Sequence, residues 1–277
     1  MKRPMPKSIE ELQAIARKIR RDIVVMIGAA GSGHPGGSLS AVEILVELYF
    51  NHMKIDPKNP TLLDRDRFIL SKGHAAPVLY AVMAEAGYEQ TPLDKLNTLR
   101  KMGSVYQGHP DMRYIPALEA STGSLGEGLS LALGMGLAAR MDGRKSRTYV
   151  MLGDGEIQEG QVWEAAMAGA FHKADNIVAI VDNNRIQLDG FVKDIMAVDP
   201  LADKFRAFGW HTIEIDGHDP RAIQAALAEA EATKGKPTCL VAHTIKGKGV
   251  SFMENNPKFH GTAPSADEVK LALQELN

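Results

Sequence analysis

Two short polar motifs, each closing an apolar run, set the strongest constraint on what this chain can fold into. Gly153-Asp154-Gly155 follows Tyr149-Val150-Met151-Leu152, and Asp182-Asn183-Asn184-Arg185-Ile186 follows Ile177-Val178-Ala179-Ile180-Val181. Short apolar runs bounded by turn residues read as buried strands, and the stretch between them reads as a helix, so the segment forms one βαβ unit. Both strands of such a unit run parallel and deliver their C-terminal ends to one edge of the sheet, where open α/β folds bind ligands. Asp154 and Asn184 therefore become neighbours although thirty positions separate them.

An aspartate, an asparagine amide oxygen and a backbone carbonyl are hard oxygen donors, which suit Mg²⁺ when phosphate oxygens and water complete its octahedron. The flanking glycines allow a diphosphate to approach the backbone. Taken alone, Gly-Asp-Gly is a common strand-to-loop turn. The strand context and the distant Asn-Asn pair are what raise it to a metal-diphosphate site. An EF-hand is excluded, because a loop starting at Asp154 would put Glu159 where glycine is required and Ala165 where the bidentate glutamate belongs.

The rest of the chain alternates helical and strand-like segments without repeats or low-complexity linkers, which fits a single wound domain over residues 1–277. Ser8 with Glu11 makes a capping box opening a helix to Ile27, and the Gly-rich stretch Gly28 to Gly37 stops it. Further helices are predicted from Ser38 to Met53, from Ala75, from Leu125 to Met141 and from Asp219 to Thr233, and Ser265 with Glu268 caps a last one. Strands are predicted at Arg67 to Leu70, His211 to Ile215 and Thr238 to Ala242 besides the two above. The fold class is α/β: a doubly wound, mostly parallel sheet of about five strands with helices on both faces.

A net charge of −2 gives no electrostatic reason to expect nucleic acid or an anionic membrane surface. The single cysteine, Cys239, excludes an intramolecular disulfide and reads as a small buried hydrophobe. With neither a signal peptide nor a long apolar run in view, a cytoplasmic protein is the expectation.

Four histidines, His34, His74, His109 and His260, sit in Gly-flanked loops, which place side chains in clefts rather than cores. None pairs with another at zinc-motif spacing, and one cysteine adds little to a ligand set, so zinc is disfavoured. The helix ending at Met141 is rich in glycine and alanine, at a cost in helix propensity. For Gly134 and Gly136, close packing on the sheet and a ligand role are both open.

The motifs Gly33-His34-Pro35-Gly36-Gly37, Ser71-Lys72-Gly73-His74-Ala75, Gly108-His109-Pro110, Thr122 to Gly128, Gly153 to Gly160 and Phe259-His260-Gly261 stand in the order found in transketolases. In this respect the chain resembles the N-terminal, diphosphate-binding domain of the transketolase family, and the Asp154…Asn184 pair resembles the thiamine-diphosphate signature. The resemblance implies thiamine diphosphate and Mg²⁺ as cofactors, with Ca²⁺ or Mn²⁺ as alternative ions. It implies transfer of a two-carbon glycolaldehyde unit from a ketose phosphate to an aldose phosphate. By the same resemblance Asp154, Asn184 and the Ile186 carbonyl hold the metal. Ser32, His74, Gly123, Ser124, Leu125, Gly153, Gly155, Glu156, Ile245 and His260 join them in binding the cofactor. His34, His109 and His260 face the sugar, where an imidazole can exchange protons near neutrality. Glu159 and Glu164, otherwise a solvated helix start, are implied at a subunit interface, and Trp163 beside them suits either interface or core. Ser124 stands where transketolases often have proline.

In transketolases the pyrimidine pocket and the activating glutamate belong to a second domain, and this chain ends at Asn277 before one. The expectation is the N-terminal subunit of a split enzyme, completed by a C-terminal subunit carrying the pyrimidine-binding domain, in a dimer of heterodimers. The α subunit of a thiamine-dependent 2-oxoacid dehydrogenase accounts for Gly-Asp-Gly equally well but not for Gly33-His34-Pro35, Lys72-Gly73-His74 or His260-Gly261. A deoxyxylulose-phosphate synthase shares the Lys246-Gly247-Lys248-Gly249 run, and a non-catalytic homologue would keep only the fold.

Overall fold

The computed structural model describes residues 3–188 and 190–277. Five parallel strands form the central sheet: β1 (Arg67–Leu70), β2 (Thr148–Gly153), β3 (Ile177–Asn183), β6 (His211–Asp216) and β7 (Thr238–His243). Between β3 and β6 the chain makes a small antiparallel hairpin, β4 (Ile186–Gln187) with β5 (Gly190–Phe191). The order across the large sheet is β1-β2-β3-β7-β6. The chain thus skips one place after β3 and returns to lay β7 in the gap, which opens a crevice at the carboxyl ends of the central strands.

Among the described residues ten α-helices flank these strands: α1 (Ile9–Ala30), α2 (Pro35–Leu39), α3 (Val42–Glu47), α4 (Ala76–Ala86), α5 (Glu127–Met141), α6 (Gly160–Phe171), α7 (Val192–Ile195), α8 (Leu201–Ala207), α9 (Pro220–Ala232) and α10 (Ala266–Glu275). Alternation along the strands divides the interior in two. Tyr149, Met151, Val178, Ile180, Leu240 and Ala242 join α1, α3, α4, α9 and α10 in one core. Val150, Leu152, Ala179, Val181, Cys239 and Val241 join α5, α6 and α8 in the other. A parallel sheet needs both faces covered, and the near-continuous apolar strands meet that need.

Both predicted capping boxes form, at Ser8 with Glu11 and at Ser265 with Glu268. Two expectations change. The helix expected from Ser38 to Met53 begins earlier, with Pro35 in its first turn, and is broken into α2, α3 and a π-turn over Leu48–His52. Pro35 lacks the N-H that a first turn leaves unpaired, so it starts a helix well. The break falls at Ser40, whose hydroxyl donates to Asp182 Oδ2 at 2.6 Å. Helix α5 starts at Glu127 rather than Leu125, because Gly126 takes a left-handed conformation, φ 88°. Among the described residues no helix is long and apolar enough to cross a membrane.

Candidate active site

Each group of the site sits where an element ends at the carboxyl edge of the sheet. Asp154 closes β2 and is 2 % exposed; its carboxylate accepts from the Gly155 N-H at 2.7 Å and from the Arg185 N-H. The Asn184 amide oxygen, in the turn after β3, accepts from the Ile186 N-H at 3.2 Å. Lys246, just beyond β7, donates to the Ile186 carbonyl at 2.6 Å and to His260 Nδ1 at 2.7 Å. Asp154, Asn184, Ile186 and Lys246 line one cavity of about 380 Å³, together with Gly153, Gly155 and Glu156. His34, His74 and His260 share its wall with ring centroids 5.2 to 5.5 Å apart.

A buried ion pair underlies this wall. Lys72 follows β1, Asp182 lies in β3, and their side chains are 1 % and 0 % exposed. Asp182 also accepts from Ser40, Thr244 and the Asn184 amide, the last at 3.0 Å, while Lys72 donates to the Gly37 carbonyl at 2.7 Å. Burial opposes the Asp182 charge, yet Lys72 and the two hydroxyls outweigh it and hold the carboxyl below its usual range. Asp154 differs: burial first and then the Asp182 charge push it up to about 7. Burial lowers Lys246 to about 8. Burial and neighbouring cations take His34 down to about 4 and His260 to about 3, and they hold His74 well below its ordinary value. Near neutrality these three imidazoles are uncharged, each able to donate through one ring nitrogen and accept through the other.

Glu156 acts as a clamp inside the wall. Its carboxylate accepts from Ser71 Oγ, from the Gly126 N-H at 2.9 Å and from the Gly153 N-H at 2.9 Å, tying the loop before α5 to the end of β2. The close approach also needs Gly128, since a Cβ there would lie 2.3 Å from Ser71 Oγ. Of the two other helix glycines, Gly136 packs on Ile177 of β3, whereas Gly134 faces open space and packs on nothing.

The predicted residues are distributed unevenly around the cavity. His34, His74, Gly123, Leu125, Gly153, Asp154, Gly155, Glu156, Asn184, Ile186 and His260 line it, as does Glu159 at the start of α6. His109 is exposed and packs its ring on Gly123. Ser32, Ser124 and Glu164 stand outside the lining: Ser32 accepts from Arg100 at 2.6 Å, and Ser124 and Glu164 are exposed. Ile245 is placed elsewhere. It lines a second cavity, of about 780 Å³, on the other side of the Asn184-Arg185 turn, and its N-H donates to His218 at 2.8 Å. The next residue, Lys246, is the one that lines the first cavity. Trp163 belongs to the core side: its ring stacks on Phe208 at 5.4 Å and its N-H reaches the Ile157 carbonyl at 2.9 Å.

Lys72, Asp182 and Lys246 are the functional groups that sequence reasoning did not single out. The available signal was a charged residue close to the carboxyl end of each of three strands, Asp182 inside β3 and Lys72 and Lys246 in the loops after β1 and β7.

The donors fit a hard divalent ion with a diphosphate. One carboxylate, one amide oxygen and one carbonyl leave coordination positions and positive charge for phosphate oxygens. Among the described residues His34 Nδ1 is buried without a hydrogen-bond partner. Among the described residues, no three His, Cys, Asp or Glu side chains converge on an alternative metal site.

Residues 11–277 match the family model described as transketolase, thiamine diphosphate binding domain. The chain belongs to the transketolase family. A 6-deoxy-6-sulfo-D-fructose transketolase subunit of Clostridium sp. (strain MSTE9) is 45 % identical over 266 residues, 96 % of each chain. An apulose-4-phosphate transketolase subunit of Actinobacillus succinogenes is 45 % identical over 274 residues, 99 % of this chain and 98 % of that one. Among solved structures, transketolase from Campylobacter jejuni superposes with a TM-score of 0.92 at 34 % identity. That match covers 98 % of this chain and 43 % of the Campylobacter transketolase.

Proposed function

We propose that this chain is the N-terminal subunit of a two-chain transketolase that moves a two-carbon glycolaldehyde unit from a ketose phosphate to an aldose phosphate. The observation that carries this reading is the convergence of Asp154, Asn184 and Ile186 below three uncharged imidazoles in one cavity. Nearly full-length similarity to relatives named as transketolase subunits supports the division into two chains.

In this reading Asp154, Asn184 and the Ile186 carbonyl hold Mg²⁺, and Gly153 and Gly155 let the diphosphate lie against the backbone. His74 and His260 hydrogen-bond that diphosphate, and Lys246 offsets its charge. Gly123, Ser124 and Leu125 bound the ring end of the cofactor. Thiamine diphosphate, when bound, supplies the carbanion-stabilising chemistry, and the protein orients the reactants and tunes the electrostatics. His34 and His260 bond the hydroxyl beside the bond being broken, and His109 holds the donor's terminal hydroxyl. Their neutral imidazoles can accept or donate a proton there without carrying a charge into the cavity. A complementary chain supplies the pyrimidine pocket and the activating carboxylate, meeting this one near Glu159 and Glu164 in a dimer of heterodimers.

The test is affinity purification of the chain from its source cells, followed by a ketol-transfer assay with thiamine diphosphate, Mg²⁺ and a panel of ketose phosphates. The panel is extended to the sugars in the two relatives' names, one of which is a sulfonate rather than a phosphate. A second chain that co-purifies, with transfer lost on separation, is the expected result. Cofactor-dependent decarboxylation of a 2-oxoacid without ketol transfer would overturn the assignment.

A further inference from the structure

The His34 loop has little to fix it from within. Among the described residues His34 Nδ1 has no partner, Gly33 before it has φ 149°, and Ser38 Oγ of α2 donates to the His34 carbonyl at 2.7 Å. Its tie to the rest of the cavity mouth is Arg100, whose Nη1 donates to Ser32 Oγ at 2.6 Å. The same guanidinium lies on the backbone before His109: a Cβ on Gly108 would stand 3.2 Å from Arg100 Nε and 3.4 Å from Cζ. The residue holds an uncommon backbone conformation to do this, φ 60°, fixed by its N-H on the Tyr106 carbonyl at 2.8 Å. Among the described residues no carboxylate pairs with it, so salt-bridge formation does not explain its position.

We propose that Arg100 is a positioning residue that joins the loop carrying His34 to the loop carrying His109 and so sets the spacing of the two imidazoles across the cavity mouth. The proposal rests on the reading of those histidines as sugar-facing groups. A planar guanidinium can bond a hydroxyl at one edge while its face lies on a peptide, which a lysine ammonium cannot do. Burial first and then the Arg100 charge lower both histidines.

The experiment has two arms. In the complex with the partner subunit, R100M and R100K should each lower kcat/KM for the ketose donor by about 10- to 100-fold, the scale of a small misplacement of reacting groups. Cofactor affinity and Tm should stay at wild-type values. S32A should show part of the same loss, and R100M/S32A no more than R100M. In the isolated chain, NMR titration should show the His109 imidazole shifted upward in R100M. Wild-type kinetics in R100K or R100M, or strictly additive losses in the double variant, overturn the proposal. If the wild-type complex shows no ketol transfer, the functional reading fails, and an unmoved His109 titration would then overturn the role of Arg100 separately.

Discussion

Replacing Asp182 by asparagine removes one charge from a pair that water does not reach. Asp182 accepts four hydrogen bonds, from Lys72, Ser40, Thr244 and Asn184, and an amide oxygen can take about two of them. The Lys72 ammonium would then keep the Gly37 carbonyl as its remaining protein acceptor while 1 % exposed. Breaking one partner of a buried pair costs about 3–5 kcal/mol, since it strands the other charge. Against a total stability of about 5–15 kcal/mol this is a large fraction. The assay is urea unfolding at pH 7, followed by fluorescence of Trp163 and Trp210. K72M should be nearly as harmful alone, whereas K72M/D182N should recover at least about 2 kcal/mol relative to the sum of the single changes, because no charge is stranded. A loss below about 1 kcal/mol in D182N, or additive single effects, would refute the reasoning.

Three further outcomes are expected. In the complex with the partner subunit, Asp154→Ala should abolish Mg²⁺-dependent binding of thiamine diphosphate, measured by titration calorimetry with and without the ion; undiminished binding would remove Asp154 from the metal site. Asp22 on α1, pushed up to about 7 by burial and by Glu85 on α4, keeps a proton that the unfolded chain has lost. Its contribution is therefore full below about pH 4 and lost as pH rises through about 7, so the Tm of Asp22→Asn should gain on wild type across that interval. A constant difference would count against a proton retained on Asp22. Gly128→Ala should destabilise by about 1–3 kcal/mol, because the new methyl meets Ser71 backbone and side chain alike; circular-dichroism melting reads the loss directly.

Strands β2 and β3 were legible because their apolar runs are short, continuous and closed by glycine or charge, and a sheet covered on both faces leaves that imprint. The helix starts at Ser8 and Ser265 were legible because a capping box is local, spanning four residues. What escaped the sequence was long-range. Lys72 and Asp182 are 110 positions apart, and nothing local in either segment names the other. The break at Ser40 has the same origin, a hydroxyl engaged by a strand 142 positions away. Of the site, the motif glycines and histidines were readable as a family pattern. The side of the Asn184 turn on which Ile245 falls depends on how the chain leaves β7, which the pattern does not encode.

The Lys72–Asp182 pair spans three strands, with one leaving β1, one inside β3, and β2 between them. Gly153 of β2 lies directly opposite Asp182, so no side chain blocks the reach. A slip of one residue in either pairing would turn Asp182 or Lys72 to the other face and leave two unneutralised charges inside the protein. The pair therefore acts as a check on alignment. Chains with a misaligned sheet carry a penalty that no surface adjustment relieves, and the floor of the cavity closes only when all three strands agree. Amide hydrogen exchange in β1, β2 and β3 should accordingly share a single opening free energy with the turn at Asn184, rather than letting that turn open alone.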